Sequence, residues 1–120
     1  MNIIISEERL NRLVTKYIDH MLGVLEGEKN LLNTRVASFK KFYNRYFDYK
    51  NRLVFVVDLK IKDKYENHKW SVSLQFLQRL YTVFSGTDED KINEIVIKYF
   101  SEISGMTLSN RFTYLGGHDF

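Results

Sequence analysis

Hydrophobic residues recur along this chain at two different periods. From Ser6 onward, Leu10, Leu13, Val14, Tyr17, Ile18 and Met21 return at intervals of three and four, with Arg9, Arg12, Lys16 and Asp19 between them. Residues so spaced share one face of an α-helical cylinder, so the pattern predicts an amphipathic helix. Ser6 is placed to cap it, Glu7 and Glu8 fall beside the positive end of its dipole, and Gly23 is a natural stop. The preceding Ile3, Ile4 and Ile5 read as a short strand, and residues 24–33, with Gly27 and mixed charges, as a loop or frayed turn.

The period then falls to two. Leu53, Phe55, Val57, Leu59 and Ile61 alternate with a face that turns polar at Asp58, Lys60 and Lys62. Trp70, Val72 and Leu74 alternate with Lys69, Ser71, Ser73 and Gln75. Side chains on a strand point alternately to opposite faces, so both stretches predict strands with one buried and one wet face. The polar residues 62–68 between them suit a hairpin connection. Residues 43–49 read as a third strand, with a turn at Lys50 and Asn51, or else as part of a helix through Val36, Phe39, Tyr43, Tyr46 and Phe47; periodicity permits both.

Helical spacing returns in Leu77, Leu80, Tyr81 and Phe84, up to Gly86. Thr87 followed by Asp88, Glu89 and Asp90 predicts a second acid-led helix start, with Ile92, Ile95, Val96, Tyr99, Phe100 and Ile103 as its apolar face and Gly105 as its end. The connection through residues 85–87 makes these a helical hairpin. A short strand is expected around residues 111–115 and a flexible tail from Gly116 to Phe120. No repeat or linker divides the chain, so residues 1–120 are expected to form a single α+β domain: a small antiparallel sheet packed by an N-terminal helix and a C-terminal helical hairpin, with Trp70 buried between the layers.

Composition removes whole classes of chemistry. With 120 residues the chain is long enough for one core without a disulfide or metal, and it has no cysteine, so thiol catalysis, cysteine zinc sites and iron–sulfur clusters are excluded. Glu7, Glu8 and Arg9 follow the apolar run at residues 1–5 at once, which is not a secretory pattern, and no uncharged stretch is long enough to span a membrane. The chain is expected to remain where it is made and not to engage a membrane. His20, His68 and His118 form no metal-ligand spacing, and Asp88, Glu89 and Asp90 are explained by the helix dipole. Asp58 is a lone acid with no second carboxylate fixed beside it. Neither a phosphate-binding glycine loop nor a nucleophile elbow occurs. No catalytic residue, cofactor or metal is therefore assigned, and the expected role is not enzymatic.

Charge position is more informative than net charge. The chain carries +3 overall, yet residues 34–52 hold six basic side chains and one acidic. Within this stretch the rings of Phe39, Phe42, Tyr43, Tyr46, Phe47 and Tyr49 are interleaved with Lys40, Lys41, Arg45, Lys50 and Arg52. Six rings cannot all point inward from one strand or one helix face, so the segment reads either as core rings with a solvated basic rim or as a surface where some rings stand exposed beside cations. Such a surface suits a protein partner, and rings that stack on bases beside cations that track phosphates are also the ingredients of single-strand nucleic-acid recognition. Phe39, Lys40, Lys41, Phe42, Tyr43, Arg45, Tyr46, Tyr49, Lys50 and Arg52 are accordingly the candidate partner-binding residues. Self-association is a further way to cover surplus aromatic surface.

Two stretches, IIISEERLNRLVTKYI at the start and RLYTVFSGTDEDKINEIVIKYFSE later, together resemble the opening strand-and-helix and the paired C-terminal helices of small uncharacterised proteins of tailed phages. The resemblance covers about a third of the chain and supplies no site residue. It implies a viral origin, with the host cytoplasm or the virion as location. The combined expectation is a non-enzymatic protein-binding module, such as a virion component or assembly factor. The alternative is a nucleic-acid or ribonucleoprotein binder, such as an inhibitor of a host defence complex.

Overall fold

The computed structural model describes residues 6–23, 31–38 and 41–115. In chain order they form α1 (Glu7–Leu22), β1 (Leu32–Ser38), β2 (Lys41–Phe47), β3 (Leu53–Lys62), β4 (His68–Ser73), α2 (Leu74–Val83), α3 (Glu89–Ser104) and β5 (Thr113–Leu115). The strands make one sheet in the order β1-β2-β3-β4-β5. The first four run antiparallel, and β5 adds beside β4 in parallel, so the α+β architecture holds with a mixed sheet. Helices α2 and α3 form the crossover that a parallel neighbour requires.

Local chemistry sets the helix ends. Ser6 Oγ accepts the Arg9 amide at 3.2 Å, and Gly23 closes α1 in the left-handed conformation at φ 72°, its N–H reaching the carbonyls of Asp19 and His20. Leu10, Val14, Ile18, Met21 and Leu22 are buried along α1. Leu13 is not; it sits at the edge of the apolar stripe and is exposed. At α3 the cap is Asp88 rather than Thr87, its carboxylate accepting the Asp90 amide at 2.9 Å, which leaves Glu89 and Asp90 in the first turn. Gly105 ends α3 at φ 67°.

Several sequence expectations shift. The alternation through Gln75 overshoots, because Ser73 Oγ accepts the Phe76 amide at 3.3 Å and starts α2 at Leu74. Helix α2 then ends at Val83 and is capped by Phe84, whose N–H reaches the Leu80 carbonyl, two residues before Gly86. The helical alternative for residues 36–47 gives way to the β1–β2 pair, in register from Leu32↔Phe47 to Ser38↔Lys41. Residues 32 and 33, expected in a loop, open β1. As an edge strand of sequence LNTRVAS it carries little apolar alternation, and pairing with β2 is what organises it. Strand β3 does not alternate to its end: its register with β4 jumps from Val57↔Trp70 to Lys62↔His68. The carboxylate of Asp58 holds this bulge by accepting the amides of Lys60 and Ile61, both at 2.9 Å. The expected strand at Ile3–Ile5 and the tail from Gly116 lie outside the described residues.

One core joins the layers. Tyr46, Phe55 and Val72 are cross-strand neighbours, as are Asn44, Val57 and Trp70, and all six are buried. Phe100 of α3 stacks on Phe55 with centroids 4.1 Å apart, and Tyr46 stacks on its other side at 4.3 Å. Trp70 meets both Phe55 and Phe100 edge-on, and its indole N–H donates to the Ser109 carbonyl at 2.7 Å. Aromatic pairs in these geometries add to the burial of their area. The helices thus close one face of the sheet.

Candidate binding surface on the bare face of the sheet

Alternation sends the intervening residues to the opposite face, which none of the described helices covers. Arg45, Val56, Ser71 and Thr113 form one cross-strand row there, with Tyr43 and Asp58 paired in the next. Arg45 and Thr113 are exposed, Val56 and Ser71 half-buried, and the Ser71 and Thr113 hydroxyls bond each other. A cleft of about 970 Å³ runs along this face. Tyr43, Val56 and Ser71 line it from the sheet, Lys62 from the end of β3, Lys64 and Tyr65 from the β3–β4 connection, and Lys69, Arg111 and Thr113 from its far side.

The connection that walls the cleft is built by Asp63. Its carboxylate accepts the amides of Tyr65 at 2.8 Å and Asn67 at 3.0 Å, while its own N–H reaches the Asn67 carbonyl. The Asn67 amide bond holds the Asp63 carboxyl below its ordinary pKa, against a smaller opposing effect of desolvation. Glu66 takes the left-handed conformation at φ 66°, and Lys64 and Tyr65 are presented to solvent. Tyr65 is 71% exposed, with the Lys64 ammonium 5.1 Å from its ring centre.

Charge on this face is one-sided. Lys62, Lys64, Lys69 and Arg111 are all exposed, and of these four only Lys62 has an ion-pair partner among the described residues, Glu66 at 3.9 Å. The two acids that line the cleft, Asp58 and Asp63, are both turned onto backbone amides. The contrast extends to the whole layer: residues 31–73 carry ten basic and four acidic side chains, whereas the three helices with Asp88 carry six and eight.

The residues singled out from the sequence are dispersed. Phe39 and Lys40 lie outside the described residues, and Lys41 opens β2. Tyr43 lines the cleft and Arg45 lies on the same face beside it. Phe42 is exposed under the Lys60 ammonium, 4.8 Å from its ring centre. Tyr46 is withdrawn from any surface, because it is 3% exposed and stacked on Phe55. Arg52, half-buried, is engaged by an acid: its Nε and one terminal nitrogen both reach the Asp48 carboxylate at 2.8 Å. Asp48, fully buried, also accepts the Lys50 and Arg52 amides, so the end of this basic run is a turn clamped by an acid. Lys50 lies 5.5 Å from the ring centre of Tyr49, which is half exposed and packs against Gly23.

Lys62, Lys64, Tyr65, Lys69 and Arg111 were missed. The run from Lys60 to Lys69 carries a basic and aromatic signal of its own that a hairpin reading passes over. Arg111 joins it only because β5 returns beside β4.

His68 Nδ1 lies 2.9 Å from the Asp58 carbonyl, His20 packs beside Tyr17, and His118 lies outside the described residues. Among the described residues no group of histidines and carboxylates is placed to hold a metal ion, and no helix is long and apolar enough to cross a membrane. No known protein family, curated protein or solved structure matches this chain.

Proposed function

We propose that this chain is a non-enzymatic binding module whose working surface is the bare face of its sheet. The observation that carries the reading is the union, on one face, of an open cleft and exposed cations, with both acids that line the cleft bonded to backbone. The cleft takes residues from β2, β3, β4 and β5, so it suits an extended macromolecular partner better than a small metabolite. With Asp58 and Asp63 committed to amides, no pair of free carboxylates lines it for acid–base work. The resemblance to small tailed-phage proteins favours action in an infected host's cytoplasm or in a virion.

Affinity capture from the native host tests the choice of face. The wild-type chain is compared with Arg45→Glu/Lys69→Glu on the bare face and Arg12→Glu/Lys98→Glu on the helix layer. Partners recovered by wild type should be lost with the first variant and kept with the second. Loss with the second alone would reject this surface.

A further inference from the structure

We infer that the partner held by the bare face is a single-stranded nucleic acid; this rests on the preceding reading and specifies its ligand. Three observations converge. The first is charge: Lys62, Lys64, Lys69 and Arg111 come from β3, the connection, β4 and the segment before β5, and all line one cleft, so four cations for a phosphate backbone stand on one surface. The second is the presence of rings among those charges. Tyr43 lies in the sheet and Tyr65, 71% exposed, stands at the wall of the same cleft, so an unpaired base has two stacking partners within reach of the cations.

The third observation is shape. A flat face of strands with rings in an open cleft gives unpaired bases a surface to lie on, whereas bases stacked in a duplex keep their faces covered, and the helices lie on the opposite, more acidic layer. Duplex binding is therefore disfavoured. An acidic protein segment would satisfy the lysines and Arg111 but leave the aromatic rings without a matching flat partner. Cations and rings together match nucleotides whose bases are free to splay.

Fluorescence anisotropy with labelled oligonucleotides of roughly twelve residues tests the assignment. The arms are single-stranded RNA, single-stranded DNA, the corresponding duplex, and polyglutamate as the acidic-protein mimic. Micromolar or tighter binding of one or both single strands is expected at about 50 mM salt. With four cations engaged, affinity should fall roughly fiftyfold between about 50 and 200 mM salt. Lys69→Ala should flatten the slope of log K against log salt by about 0.7. Tyr43→Ala should weaken binding roughly tenfold with the slope unchanged, the signature of lost stacking. Thermal unfolding of each variant verifies that the fold is retained.

The RNA and DNA arms decide which sugar the face accepts, and binding of either supports the assignment. Absence of single-strand binding at low salt, or equal binding of duplex or polyglutamate, overturns it while leaving the choice of face standing. Single-strand binding that survives Lys69→Glu/Arg111→Glu but is lost with Arg12→Glu/Lys98→Glu overturns the face itself.

Discussion

The two faces of one sheet are made by the same strands and obey opposite rules. On β2, Tyr46 is stacked beneath Phe55 while its neighbour Arg45 stands in solvent. On β4, Trp70 is buried against Phe100 while Lys69 and Ser71 line the open cleft. One residue of displacement decides whether a side chain contributes to stability or remains available to a partner. The comparison teaches that an aromatic and basic segment in a strand is not a surface: alternation divides it, and only half faces outward.

That contrast has measurable consequences. The largest belongs to the covered face. Phe100→Ala removes a ring that contacts Phe55, Trp70 and Phe76, and should lower unfolding stability by about 3–5 kcal/mol in a urea titration. A loss below about 1 kcal/mol would mean that the helix layer does not depend on this stack.

Next is the acid that engages Arg52. Asp48→Ala leaves two amides and the Arg52 guanidinium without their acceptor, and a loss of about 2–3 kcal/mol is expected. A loss below about 1 kcal/mol would mean that the Asp48 carboxylate does not organise this turn.

The joint between the layers comes third. Gly23 has φ 72°, and a Cβ there would lie 2.3 Å from the Tyr49 ring, so Gly23→Ala combines backbone strain with a clash. About 2 kcal/mol is expected, against about 1 kcal/mol for Gly105→Ala, where φ is 67° but the space is open. Equal losses at both glycines would show that Tyr49 yields without consequence and does not tie α1 to the sheet.

A smaller effect appears in alkali. Burial pushes the Tyr81 phenol up to about 12 and also raises Tyr99, whose hydroxyl donates to Asp19. The native state therefore keeps these protons at pH values where the unfolded chain releases them. Their contribution is complete below pH ~10, the ordinary tyrosine value, and should fall as pH rises from there through the folded value of Tyr81. Absorbance titration of phenolate with parallel unfolding measurements checks this; normal ionisation of both rings would remove the effect.

The smallest change is expected on the bare face. Tyr43→Ala should alter stability by less than about 0.5 kcal/mol while weakening partner binding. A large stability loss would make that face structural and erase the distinction between the two.

Much of the fold was legible because its signals are local. Ser6, Gly23 and Gly105 mark helix ends through hydrogen bonds that span only a few residues, and the stripes of α1 and α3 follow from helical geometry. The strand at Leu53 and the one ending at Ser73 announce themselves by alternation. Strand β1 was hidden because an edge strand needs little apolar character, and the shift from β4 to α2 because one serine serves both. The candidate site was legible only in part. Its chemistry, rings beside cations, is visible in the sequence, but the weight fell on residues 39–52, of which Tyr46 turns inward and Arg52 is engaged by Asp48.

By itself, then, the sequence determined the α+β class, the helix boundaries to within a few residues, the absence of thiol chemistry and the uneven placement of charge. Only tertiary structure decided which face of each strand the helices cover, and so which cations remain free. Pairing β5 with β4 sets Thr113 beside Ser71, a separation of 42 residues along the chain, and brings Arg111 to the same cleft. Periodicity repeats within a segment and carries no information about which distant segment it meets; burial and cross-strand pairing supply that choice.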